Sequence, residues 1–161
     1  MRERILEMLE RDSRLKPEDL AVRLGLDEQE VADELGRMVN EQVICGYTTL
    51  VNWEKTGKDF VTALIEVKVT PQRGMGFDRI AQRIYNFDEV KAVYLMSGGF
   101  DFTVIIEGGS IKEIAYFISD KLAPMESILS TATHFVLKKY KDRGIVMEKP
   151  HKDDERMIVS P

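Results

Sequence analysis

Cysteine is nearly missing from this chain: Cys45 is the only one, which excludes an internal disulfide framework and any cysteine-rich metal site, and fits a small residue near a helix end. Histidine is almost as scarce. His134 and His151 are the only two, and no Ser/His/Asp or Cys/His order, metal-ligand cluster or glycine-rich nucleotide loop accompanies them. No apolar run approaches the length of a membrane span, so no membrane partner is expected. Met1 to Asp12 mixes charges with Ile5, Leu6, Met8 and Leu9, which reads as an amphipathic helix and not as a secretory signal. A cytoplasmic location is the expectation. Positive charge is also short, with 23 Lys and Arg against 28 Asp and Glu, a formal net charge of −5.

What is present fits an ordinary globular protein of one or two small domains, 161 residues long, 43% hydrophobic and 32% charged. The richest stretch is Val61 to Lys139. Strands are predicted at Thr62–Thr70, Glu89–Ser97, Phe102–Gly108 and Ile128–Lys139, with apolar helices between the first pair and the last, which is the βαββαβ order of a ferredoxin-like unit. Ser97-Gly98-Gly99-Phe100-Asp101 forms the one tight turn. Side chains alternate between faces, so Val93 and Leu95 oppose Ala92, Tyr94 and Met96, and Phe102, Val104 and Ile106 oppose Thr103 and Ile105. Both faces are therefore expected to be apolar. Helix stripes at Phe77, Ile80, Ala81 and Ile84 and at Ile111, Ile114, Ala115, Ile118 and Leu122 cover only one. A second copy of the chain is the simplest cover for the other, the N-terminal segment folding back being the alternative. Met75 and Met96 read as core or interface filler, and Trp53 as a packing anchor.

The first sixty residues read differently, as short helices. Ile5, Leu6 and Leu9 give one apolar stripe ending at Asp12-Ser13, and Pro17 suits the first position of a second helix running to Leu24 and stopped by Gly25. Asp27 can cap a third helix, with Glu30 three residues on and Val31, Leu35 and Met38 repeating along one face. This is helix-turn-helix spacing. Val43–Val51 looks like a strand, Asn52–Lys58 like a linker, and the charged tail from Lys141 like a mobile segment in which Met157-Ile158-Val159 could dock as an edge strand.

In this order the pieces resemble the Lrp/AsnC family of amino-acid-responsive transcription regulators. The resemblance covers residues 1 to 140 and rests on Ile5-Leu6 with Leu9, Ser13-Arg14, Leu20-Ala21, Gly25-Leu26, Val43-Ile44 with Gly46-Tyr47, Gly57, Gly98-Gly99-Phe100-Asp101, and Thr131-Ala132-Thr133 running into Val136-Leu137. The fold it implies is α+β: an N-terminal (winged) helix-turn-helix domain at 1–50, a linker at 51–60, a ferredoxin-like effector domain (the RAM domain) at 61–140 and a tail at 141–161. It also implies a dimer, a tetramer or an octamer, double-stranded DNA as partner, and no cofactor beyond a small effector, an amino acid bound between RAM domains whose binding alters the spacing of paired recognition helices. By position the effector residues are Ser97, Gly98, Gly99, Phe100, Asp101, Thr131 and Thr133. The turn suits the task on its own chemistry, because two glycines let backbone N–H groups approach a carboxylate and Asp101 offers charge to an ammonium. A glycine pair serving only the hairpin, with Asp101 as its cap, is the plainer reading.

The charges depart from the family pattern. Residues 1 to 60 carry nine basic and fourteen acidic side chains, so the whole formal charge lies in the expected DNA-binding half. The third helix bears Glu28, Glu30, Asp33 and Glu34, leaving Gln29, Arg37 and Asn40 as DNA-compatible groups, with Arg14, Lys16 and Arg23 around the second helix available for backbone phosphates. Gln42 stands where a helix-ending glycine is common, suggesting a different exit. Two other functions are open. One is an effector or protein-interaction module without DNA binding, taking a basic partner at Asp33 and Glu34. The other is an enzyme of the sirohaem-decarboxylase kind on the same architecture, for which His134, Tyr140 and Arg143 are the available side chains.

Overall fold

The computed structural model describes residues 1–70 and 76–148, and the expectations placed on Met75, His151 and Met157-Ile158-Val159 fall outside them. The chain divides into two compact units, Met1–Val51 and a second beginning at Asn52.

The first unit is three helices, α1 (Arg2–Arg11), α2 (Pro17–Leu24) and α3 (Glu28–Asn40). Their apolar stripes meet in one core of Ile5, Leu9, Leu20, Ala21, Val31 and Met38. The ends follow local chemistry. Asp19 reaches back to the backbone N–H of Lys16 at 3.1 Å, Gly25 closes α2 in the left-handed conformation at φ 66°, and the Asp27 carboxylate accepts from the N–H groups of Gln29 and Glu30 at 2.9 and 3.2 Å. Residues 43–51, expected as a strand, form none, and no wing arises within the unit. The N–H groups of Val43 and Ile44 turn back onto the Met38 carbonyl at 2.9 and 3.1 Å. That reversal needs a left-handed residue, and Gln42 supplies it at φ 57°. The helix exit is the one a glycine would give, not a different one. Gln42→Gly is therefore expected to raise the stability of this unit by about 1 kcal/mol, read as a higher urea midpoint at unchanged slope.

The second unit holds a four-stranded antiparallel sheet in the order β2-β3-β1-β4, built from β1 (Val61–Val69), β2 (Val90–Leu95), β3 (Phe102–Gly108) and β4 (Ile128–Phe135). With α4 (Phe77–Tyr85) and α5 (Ile111–Phe117) as crossovers, this is the ferredoxin-like βαββαβ arrangement. The core lies between sheet and helices: Ala63, Ile65, Val67, Phe102, Val104 and Ile106 from the strands against Ile80, Ile84, Ile114, Phe117 and Leu122. The α5 stripe is rotated from expectation. Ile111 and Ala115 face solvent and Phe117 faces in, and the helix ends in a wider turn at Ile118–Leu122.

The uncovered face is less oily than alternation along two strands suggested. Register places Leu64, Ile105, Ala92 and Tyr94 there, but also Glu66, Lys68, Glu107 and His134. His134 Nε2 sits 3.3 Å from a Glu66 oxygen. Residues 52–60 pack within this second unit, where Trp53 stacks on Phe60 at 5.6 Å and the Asn52 amide donates to the Met147 carbonyl at 3.2 Å. Residues 141–148, expected to be mobile, begin with a hairpin of β5 (Lys141–Asp142) and β6 (Ile145–Val146), turned by Arg143 and Gly144, both at positive φ.

Candidate functional site

Two sets of residues were singled out by sequence, one in each unit. In the first, the geometry revises the meaning of the acidic third helix. Val31 and Met38 point α3 inward, and Glu34, between them at helical spacing, follows them in, with 4% of its surface exposed. Its carboxylate does not lie bare on the outer face. One oxygen is bonded by Arg2 of α1 and the other accepts from Arg37 Nη1 at 2.9 Å, while the rest of the Arg2 guanidinium grips Glu41 through two bonds of 2.7 and 3.1 Å. Arg2 is held more firmly protonated by Glu41 and Glu34, and the Glu41 carboxyl is pulled below its usual range by Arg2. Glu34 thus belongs to the helix packing, and a basic partner reading Asp33 and Glu34 as one patch is excluded by its burial.

The five residues expected at DNA are all exposed, and four of them already hold a carboxylate. Arg14 chelates Asp12 at 2.9 and 3.0 Å, Lys16 approaches Glu18 at 3.3 Å, Gln29 donates to Asp33 at 2.9 Å and Arg37 donates to Glu34. Arg23 is exposed and touches Asp12 only through its field. The Arg14 side chain, followed by its backbone N–H at 3.1 Å, holds the Asp12 carboxyl at about 2 instead of 3.8. A native pKa below the unfolded one means the contribution is present above about 3.8 and lost as pH falls through about 2. An NMR titration should place Asp12 near 2, and Arg14→Ala should return it towards 3.8.

In the second unit the Ser97–Asp101 turn is bolted to the end of β1. The Asp101 N–H donates to the Val67 carbonyl at 3.0 Å, its carbonyl accepts from Met96 at 2.8 Å, and its carboxylate accepts from the Val69 N–H at 2.8 Å. One carboxylate oxygen is therefore spent on the sheet. Gly98 adopts φ 150°, a conformation L side chains rarely take, and an added Cβ at Gly98 or Gly99 would meet nothing within 4 Å. Ser97, Gly98 and Gly99 are exposed, and Phe100 is half-buried. Thr131 and Thr133 lie across β1 from the turn, opposite Val67 and Ile65. Two strand spacings, about 10 Å, separate Thr131 from Phe102. The threonines face the helix-bearing side, because paired residues share a face and Val67 and Ile65 are core. They are thus on the side of the sheet away from the uncovered face.

Sequence reasoning missed a cleft of about 350 Å³ at the far end of β3, bounded by Glu89, Ile106, Gly108, Glu113, Phe117 and Lys121 among others. Its carboxylates are engaged: Glu89 with Lys121, Glu113 with the Gly109 N–H at 2.8 Å and Glu107 with Lys139 at 3.4 Å. Lys121 is the main reason the Glu89 carboxyl is pulled below its usual range. No sequence signal marks this cleft, since its residues come from three separated segments.

Comparison with known proteins places this geometry. A family model described as the Lrp/AsnC ligand binding domain matches residues 62–146, and the HTH-type transcriptional regulator YugG of Bacillus subtilis is 48% identical over 98% of this chain and 95% of its own. This chain belongs to the Lrp/AsnC family. The leucine response regulatory protein LrpA of Mycobacterium tuberculosis superposes with a TM-score of 0.74 at 19% identity, covering 90% of this chain and 96% of that one. A transcriptional regulator of Neisseria meningitidis, solved as a complex with L-methionine, superposes with a TM-score of 0.68 at 20% identity, covering 86% and 89%. At such identities the likeness is one of fold. The Lrp/AsnC match runs through the β5–β6 hairpin. The chain is an Lrp/AsnC transcriptional regulator of the helix-turn-helix type.

Proposed function

We propose that this regulator binds duplex DNA through α3 of its first unit and an amino acid at the Ser97–Asp101 turn of its second, as a dimer or larger ring whose geometry the amino acid alters. The observation that carries the effector assignment is the turn: two exposed glycines with open space around them, on a backbone held rigid by three bonds from Asp101. A rigid loop with unobstructed N–H groups is what a carboxylate ligand needs, and the remaining Asp101 oxygen suits an ammonium. The L-methionine bound to the Neisseria regulator agrees with that class of ligand. On the DNA side, burial of Glu34 removes one of the two charges that argued for a module without DNA binding. The enzymatic alternative gains nothing from His134, which faces Glu66 on the open sheet surface.

Calorimetry with the twenty amino acids tests the effector site. At least one should give binding heat, and Asp101→Ala should abolish it while leaving the protein folded at a cost of about 1–2 kcal/mol for the stranded Val69 N–H. Heat of equal size from the variant would move the site elsewhere.

A further inference from the structure

The outward side of α3 has a chemistry the charge count conceals. Opposite the buried Val31, Glu34 and Met38 run Gln29, Asp33, Gly36 and Asn40, all exposed, at the i, i+4, i+7 and i+11 positions of one stripe. Arg37 lies off this stripe and is tied to Glu34. The stripe carries no cation and a single anion. Gln29 donates its amide hydrogen to one Asp33 oxygen at 2.9 Å, which leaves the second Asp33 oxygen and the Gln29 carbonyl as neighbouring acceptors. Gly36 adds a second sign. A glycine inside a helix costs stability, yet nothing among the described residues needs its bareness, because a Cβ there would meet none of their atoms within 4 Å. An exposed stripe kept bare at its middle permits close approach of something outside the chain.

In a helix-turn-helix the second helix of the pair enters the major groove, and its N-terminal part meets base edges. Gln29 and Asp33 lie in the first half of α3. Acceptors there pair with the amino group of cytosine. Adenine also presents an amino group, but with the N7 acceptor beside it, which suits a carboxamide and repels a carboxylate, whereas guanine presents only acceptors on that edge and thymine an acceptor and a methyl. We propose that Asp33 is a specificity-determining residue that reads cytosine through its amino group, with Gln29 holding the carboxylate in place; this rests on the DNA-binding reading above. Phosphate neutralisation then falls to Arg23, and to Arg14 and Lys16 where a phosphate displaces Asp12 and Glu18, all outside the stripe. The acidic recognition helix is a device for choosing sequence at the expense of affinity, since a carboxylate in the groove weakens attraction to every duplex and is repaid only where an amino group meets it.

The test is selection from a randomised duplex pool at low salt with the full chain, the Asp33→Asn variant and the Asp33→Ala variant, each checked for helix content by circular dichroism. The wild type should enrich a motif with cytosine favoured about tenfold at one position of each half-site. Asp33→Asn should change that position to adenine, which a carboxamide contacts at N6 and N7, and Asp33→Ala should leave it without preference. An identical motif from all three proteins, or uniformly tighter binding by the variants with the motif unchanged, would overturn the assignment and leave Asp33 a mere repulsive charge. A wild type that retains none of the pool would instead overturn the DNA-binding reading itself.

Discussion

Phe102→Ala should lower the stability of the second unit by about 3–5 kcal/mol, the largest effect expected of any single truncation here. Phe102 is 1% exposed, meets Phe77 edge-on at 5.9 Å between ring centres, and pairs in register with Val67 on one side and Leu95 on the other. Removing the ring leaves a cavity directly beside Asp101, whose backbone and carboxylate fasten the turn to β1. A domain of this size is stable by about 5–15 kcal/mol, so about a fifth or more of the margin disappears. Trp53 is the only tryptophan and belongs to the second unit, so its fluorescence in urea reports this transition cleanly. Amino-acid binding should weaken along with the midpoint, because the cavity loosens the same bonds that hold the turn. A loss under about 1 kcal/mol would show that the sheet does not depend on this ring.

The second large effect is Glu34→Lys. If α3 were simply too acidic for DNA, reversing this charge would improve binding and leave the fold intact. The structure gives the opposite expectation. Lysine at a site 4% exposed would lie against two guanidinium groups, Arg2 and Arg37, in place of the carboxylate that joins them. Burying an unpaired charge beside like charges costs about 3 kcal/mol or more, enough to melt a three-helix unit with a six-residue buried core. The helical signal of residues 1–51 should be lost at lower temperature. Asp33→Lys, one residue away but exposed, should stay within about 0.5 kcal/mol of the wild type. Equal tolerance of both substitutions would return Glu34 to the surface.

Much of this was legible in the chain. Local signals marked the helix ends, since Pro17, Gly25 and Asp27 each act within their own turn. The third strand was read at its full span, Phe102–Gly108, because Asp101 and Gly109 bound an unbroken apolar alternation. What escaped depends on distant partners. The inward turn of Glu34 is implied by its place between Val31 and Met38, but its reason is Arg2, thirty-two residues away. The side faced by Thr131 and Thr133 follows only from their pairing with Val67 and Ile65. The fourth strand stops at Phe135, short of the Lys139 that its apolar pattern suggested, with one further bond, from the Val136 N–H to the Thr62 carbonyl at 2.9 Å, beyond its end. Residues 43–51 carry strand-like composition, but composition cannot supply a neighbour, and the backbone of Val43 and Ile44 is taken by the end of α3.

The most direct measurement is fluorescence anisotropy of a duplex carrying the sequence upstream of this chain's own coding region, titrated with protein at low salt in the presence of each amino acid. Saturable binding whose affinity shifts by about 5- to 150-fold with at least one amino acid, and does not shift for Asp101→Ala, is the predicted result. Binding that is identical with all twenty, or a wild type and an Asp101→Ala variant that respond alike, would contradict an amino-acid switch seated at the Ser97–Asp101 turn.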